Sequence, residues 1–188
     1  MEALFVSTGI VALAEMGDKT QLLSLLLAAK FRRPLPIILG ILVATLLNHA
    51  LAGAVGTWIT HAVGENVMRW LLGLSFIAMA GWTLIPDEAP DAITRPARLG
   101  IFATTVIAFF LLEMGDKTQI ATVALAAQYS AFYTVVAGTT VGMMLANVPA
   151  VLLGERATAN LPLRRIQRLA ALVFAVLGVA VLSGVNIG

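Results

Sequence analysis

Six stretches of this chain, residues 3–29, 35–60, 66–85, 100–127, 133–154 and 166–186, are apolar enough and long enough to cross a bilayer. One membrane-spanning helix needs about 20 apolar residues. With 60% of its 188 residues hydrophobic and only 12% charged, a soluble fold would leave much of this surface in water. Lipid cannot satisfy free backbone amides, so such segments must pair them internally as helices. The expected fold class is therefore an all-α integral membrane protein with six transmembrane helices. The first run should be retained rather than cleaved: Met1 and Glu2 supply no basic residue, and the run is too long for a signal-peptide core. The absence of cysteine excludes disulfides and thiolate metal sites, while leaving the compartment open.

The basic residues are unevenly distributed along this pattern. Lys30, Arg32 and Arg33 follow the first run, Arg95 and Arg98 precede the fourth, and Arg156, Arg164, Arg165 and Arg168 join the fifth to the sixth. Opposite them stands Arg69. This asymmetry accounts for the net charge of +2 without a nucleic-acid partner. By the positive-inside rule it places the first, third and fifth loops in the cytoplasm and both termini outside it.

The chain also repeats itself. Residues 15–31, EMGDKTQLLSLLLAAKF, align without gaps to residues 113–129, EMGDKTQIATVALAAQY. The same offset of 98 relates Gly40 to Gly138, Gly56 to Gly154, and Phe76 to Phe174. Residues 1–85 thus form one three-helix unit and 100–188 a second, with 86–99 as a cytoplasmic linker. An odd number of helices per unit makes the second copy enter the membrane from the opposite side, an inverted repeat suited to alternating access. The linker acids Asp87, Glu88 and Asp91 fit a solvated connector, with a regulatory metal site as the alternative.

Glu15 and Glu113 fall near the centres of the first and fourth runs, where ionisable side chains are costly and ordinarily line a substrate or proton path. On a continuous helix Glu15, Asp18 and Lys19 share one face, and Glu113, Asp116 and Lys117 repeat it. A structural alternative pairs Glu15 with Lys19 and Glu113 with Lys117 at i,i+4 spacing. That staple does not explain why the whole seven-residue string is duplicated, and buried pairs often fail to recover their desolvation cost. Four carboxylates less two ammonium groups leave a formal −2, the complement of one divalent cation. With Thr20, Gln21, Thr118 and Gln119 beside them they form a hard oxygen environment suited to manganese, calcium or magnesium and ill suited to copper. The lack of a histidine cluster argues against zinc. His49 and its aligned counterpart Asn147 are further candidate ligands, or else hydrogen-bond a neighbouring helix. Gly17 and Gly115 either break the helix or permit close packing, whereas Met16 and Met114 read as packing residues, with soft sulfur ligation favouring manganese over calcium as the alternative. Protons and metal would compete for these carboxylates, which leads us to expect metal/proton antiport.

The paired EMGDKT strings at 15–20 and 113–118, in two three-helix units, resemble the signature of the cation/proton exchanger family that includes Golgi calcium and manganese transporters, chloroplast manganese transporters and bacterial manganese exporters. The resemblance covers essentially the whole chain and shows no departure within either motif. It implies manganese(II) efflux, or calcium(II) transport, across a bacterial inner membrane. Glu15, Asp18, Glu113 and Asp116 would be the ion-binding acids, supported by Lys19, Thr20, Lys117 and Thr118. The compact termini and linker suit a bacterial member. No resident cofactor and no enzymatic activity are expected; the partners are the ion, protons and the lipid bilayer, with a homodimer left open. Two other readings remain at this point: an exporter of a small organic cation such as a basic amino acid, and a membrane-embedded lipid-modifying enzyme. The second fits poorly with acids near the midplane and no nucleophile constellation beside them.

Overall fold

The computed structural model describes residues 1–85, 99–154 and 162–184; the linker acids and Arg95, Arg98 and Arg156 lie outside them. Among the described residues the chain forms eight helices. They are α1 (Glu2–Glu15), α2 (Lys19–Phe31), α3 (Pro34–Ala62), α4 (Glu65–Thr83), α5 (Gly100–Glu113), α6 (Lys117–Tyr129), α7 (Phe132–Leu153) and α8 (Leu163–Leu182). The sequence offset of 98 carries over to the elements: α1 and α2 map onto α5 and α6 at both ends, and α3 and α4 onto α7 and α8 at their starts.

The first and fourth apolar runs are not continuous helices, which corrects the expectation that Glu15, Asp18 and Lys19 share a helical face. Each run is broken within its motif. Gly17 has φ +83° and Gly115 φ +77°, left-handed conformations that glycine adopts without a Cβ penalty. Asp18 and Asp116 then take extended backbone and become the N-caps of α2 and α6. In both turns a glutamine folds back to cover a freed amide: Gly17 N–H donates to Gln21 Oε1 at 2.9 Å, and Gly115 N–H to Gln119 Oε1 at 2.7 Å. Close packing does not account for Gly115, since a Cβ there would meet nothing within 4 Å. Met114 is 56% exposed, so the packing role expected of it is not fulfilled.

α3, α7 and α8 are long and apolar enough to cross a membrane individually. The 14 residues of α1 or α5 reach only about 21 Å, short of a hydrocarbon layer of about 30 Å. Each short helix packs against the other unit: α1 and α2 lie on α7, while α5 and α6 lie on α3. The approach is close at reciprocal points. A Cβ on Gly138 would fall 2.7 Å from the Leu4 carbonyl, and one on Gly40 would fall 3.1 Å from that of Phe102, the residue related to Leu4 by the same offset. α4 pairs with α8.

Many polar side chains are buried beside an apolar core, while large apolar ones face outward. Ser7, Thr20, Ser24, Thr45, Asn48, His49, Thr105 and Asn147 are buried, while Leu47, Leu51, Leu74, Leu145 and Val176 point outward. Polar groups collected inside an apolar exterior are what a lipid solvent selects.

Candidate functional site

The two breaks face each other and bring the motif residues into one buried cluster. Glu15, Glu113 and Asp116 each present a carboxylate oxygen, all within 4.8 Å of one another. Asp18 is not in that group; its carboxylate pairs with the buried ammonium of Lys117. The reciprocal pair, Lys19 Nζ to Asp116 Oδ1, measures 2.8 Å. The lysines therefore bridge the two units instead of pairing at i,i+4 with Glu15 and Glu113. The reason is local: the breaks put each Glu and the following Lys on different helices.

Hydroxyl groups complete the same reciprocity. Thr20 Oγ1 donates to Glu15 Oε2, and Thr118 Oγ1 to Glu113 Oε1, each across its own break. Both glutamines also brace the opposite unit. Gln21 Nε2 donates to the Ala146 carbonyl at 2.9 Å, and Gln119 Nε2 to Asn48 Oδ1 at 3.5 Å. Asn48 and Ala146 are related by the offset, so a side-chain oxygen does in one half what a backbone oxygen does in the other. Asn48 in turn donates to the Phe110 carbonyl at 3.1 Å.

With each aspartate facing an ammonium group, the negative charge left over resides on the two glutamates. One oxygen of each, Glu15 Oε1 and Glu113 Oε2, is buried without a hydrogen-bond partner. A buried carboxylate is expensive unless a cation or a proton neutralises it. One divalent cation or two protons would neutralise this pair equally well.

His49 and Asn147 both reach the glutamate of the other unit. Asn147 Nδ2 lies 3.4 Å from Glu15 Oε2 and also donates to the Met143 carbonyl, while its Oδ1 accepts from Ser24 Oγ at 2.7 Å. His49 Nε2 stands 3.8 Å from Glu113 Oε1, beyond hydrogen-bond range. Sequence reasoning did not single out Asn48 or Ser24. The available signal was a polar side chain inside an apolar run, which for Asn48 sits next to the flagged His49.

A bundle with apolar exterior, paired broken helices and an acidic interior cluster is the architecture of an ion-transporting membrane protein. The comparisons with known proteins make this specific. The profile of the family described as "Divalent cation/proton antiporter GDT1" matches residues 3–91 and 101–186. A protein of Vibrio cholerae described as "Putative manganese exporter" is 49% identical over 181 residues, covering 96% of this chain and 90% of the relative. "GDT1-like protein 3" of rice is 27% identical over 201 residues, covering 92% of this chain and 71% of the relative. No solved structure matches. The chain belongs to the GDT1 family of divalent cation/proton antiporters.

Proposed function

We propose that the chain exports manganese(II) across the bacterial inner membrane in exchange for protons, through the cluster of Glu15, Glu113 and Asp116. The observation that carries this reading is the pair of buried glutamate oxygens without partners, beside aspartates already matched to lysines. The Vibrio relative's description supports manganese as the cargo. Removing a dication leaves two carboxylates that protons can neutralise, so release of metal and uptake of protons are coupled at the same atoms.

In this reading the six apolar runs are six spans, arranged as two inverted units about an axis in the membrane plane, with both termini outside the cytoplasm. Residues 1–85 and 100–188 are the units, and 86–99 the cytoplasmic linker. The exchange of partners between Lys19–Asp116 and Lys117–Asp18 supports a two-fold relation, because only such an operator maps each contact onto the other. Asp18 then takes the place of Asp116 when the bundle opens to the other side. Thr20 and Thr118 orient the glutamates, while Gln21 and Gln119 hold the breaks open.

Purified protein in sealed vesicles provides the test. An imposed proton gradient should drive manganese uptake against its own gradient, and manganese flux should move protons in the opposite direction. Manganese flux indifferent to pH, with no proton movement, would refute exchange. Calcium and labelled lysine run in parallel distinguish the cargo.

A further inference from the structure

The two halves of the site differ at one aligned position, and the difference leaves a buried histidine without hydrogen-bond partners on one side. Asn147 on α7 is saturated, with Ser24, Met143 and Glu15 as its partners. His49, its counterpart on α3, is fully buried, and neither ring nitrogen has a hydrogen-bond partner. The cause lies in two neighbouring substitutions between the repeats. Thr122 stands where Ser24 stands in the first unit, but its hydroxyl donates to its own helix at the Thr118 carbonyl, 2.8 Å away, and leaves the imidazole alone. Thr45, one turn before His49, replaces Met143, and its buried hydroxyl is also unpartnered. Glu113, which His49 faces, also has an unpartnered oxygen, as Glu15 does in the other half.

A buried imidazole without partners forfeits free energy that the fold elsewhere takes care to recover. Here the gap has the dimension of an ion. The 3.8 Å between His49 Nε2 and Glu113 Oε1 is too long for a hydrogen bond. It is nonetheless less than twice a typical metal–nitrogen or metal–oxygen distance of about 2.1 Å, so one cation can touch both atoms.

We propose that His49 is a nitrogen ligand to the transported ion and selects first-row transition dications over calcium and magnesium. This rests on the carboxylate site proposed above and specifies its cargo class. Calcium and magnesium take oxygen ligands, whereas imidazole binds transition ions, so an all-oxygen site made mixed by one nitrogen discriminates against the alkaline earths. The saturated Asn147 supplies no equivalent donor. The bound ion therefore sits nearer α3 and α5 than α1 and α7.

The test uses protein freed of any histidine tag, because the chain has only two histidines and the other, His61, is exposed near the end of α3. Pulsed EPR of the manganese-loaded protein should show modulation from a coordinated imidazole nitrogen. The signal should vanish in His49→Asn and persist in His61→Asn. In vesicles, His49→Asn and His49→Gln should each lower the manganese-to-calcium transport ratio by about tenfold. Nitrogen modulation that survives His49→Asn, or a ratio unchanged in both variants, overturns the assignment. Glu113→Gln separates the two levels. If it transports normally, the carboxylate site and the His49 ligand fall together; if it is inactive while the His49 variants keep the wild-type ratio, only the His49 ligand falls.

Discussion

The two motif turns are built from the same seven residues and fold alike, yet they sit in different surroundings. At the first, a Cβ on Gly17 would touch Leu163 and Gln167 at the start of α8, 3.4 and 3.5 Å away. At the second, Gly115 is uncovered and Met114 is exposed. The corresponding start of α4, at Glu65 and Arg69, does not reach it. Lys19, which pairs across to the second motif, is 24% exposed, whereas the Lys117 side chain is 2% exposed. Local chemistry thus sets the break and the glutamate–threonine bond alike in both copies, with an aspartate at each N-cap, although only Asp18 accepts a backbone cap bond, from Thr20 N–H. Packing by the long helices leaves one copy closed over and the other open.

The largest effects should come where the halves are equivalent. Glu15→Gln and Glu113→Gln each remove one of the two uncompensated charges, and each should lower manganese exchange in vesicles by about a hundredfold or more. Size-exclusion profiles of the purified variants should stay at the wild-type position. Retention of exchange by either one would mean that the halves do not act as a pair.

The lysines should separate the halves. Lys117→Met strands a buried aspartate and should cost about 3–5 kcal/mol, read as loss of thermal stability in detergent. Lys19→Met, at the more exposed pair, should cost clearly less. The double exchange Asp18→Lys with Lys117→Asp should recover part of the loss. Equal destabilisation by the two single variants would contradict the closed-versus-open distinction.

Smaller still are the turns. Gly17→Ala and Gly115→Ala both force alanine into a left-handed conformation, at about 1–3 kcal/mol each. The two should behave alike in a melting assay, because a Cβ on Gly17 makes only ordinary van der Waals contact with Leu163 and one on Gly115 meets nothing within 4 Å. The mildest contrast is one of access. In the cysteine-free chain, Met114→Cys should react with a small maleimide in detergent faster than Met16→Cys, which lies half-buried. Equal labelling would place both turns in the same environment.

Much of this protein was legible in its sequence because lipid simplifies the rules. Long apolar runs must be helices, so the helical class and the approximate ends of the segments followed from composition and length alone. The acids of both motifs stood out because charge is rare at that depth. The breaks were less legible: glycine at positions 17 and 115 permits either a left-handed turn or close packing, and only the positive φ angles decide between them. Pairing was illegible for a related reason. Lys19 stands four residues after Glu15, the spacing of a helical ion pair, but the break directs it to Asp116 nearly a hundred residues away.

What the sequence determined by itself, then, was the helical class and the approximate extent of the apolar runs, the duplication and the inventory of charged groups, all consequences of local pattern in an apolar solvent. Which carboxylate meets which ammonium, why His49 stands without a partner while Asn147 has several, and which motif turn is covered were decided by tertiary structure. Each depends on contacts between helices from opposite units, and a distance across that interface has no counterpart in spacing along the chain.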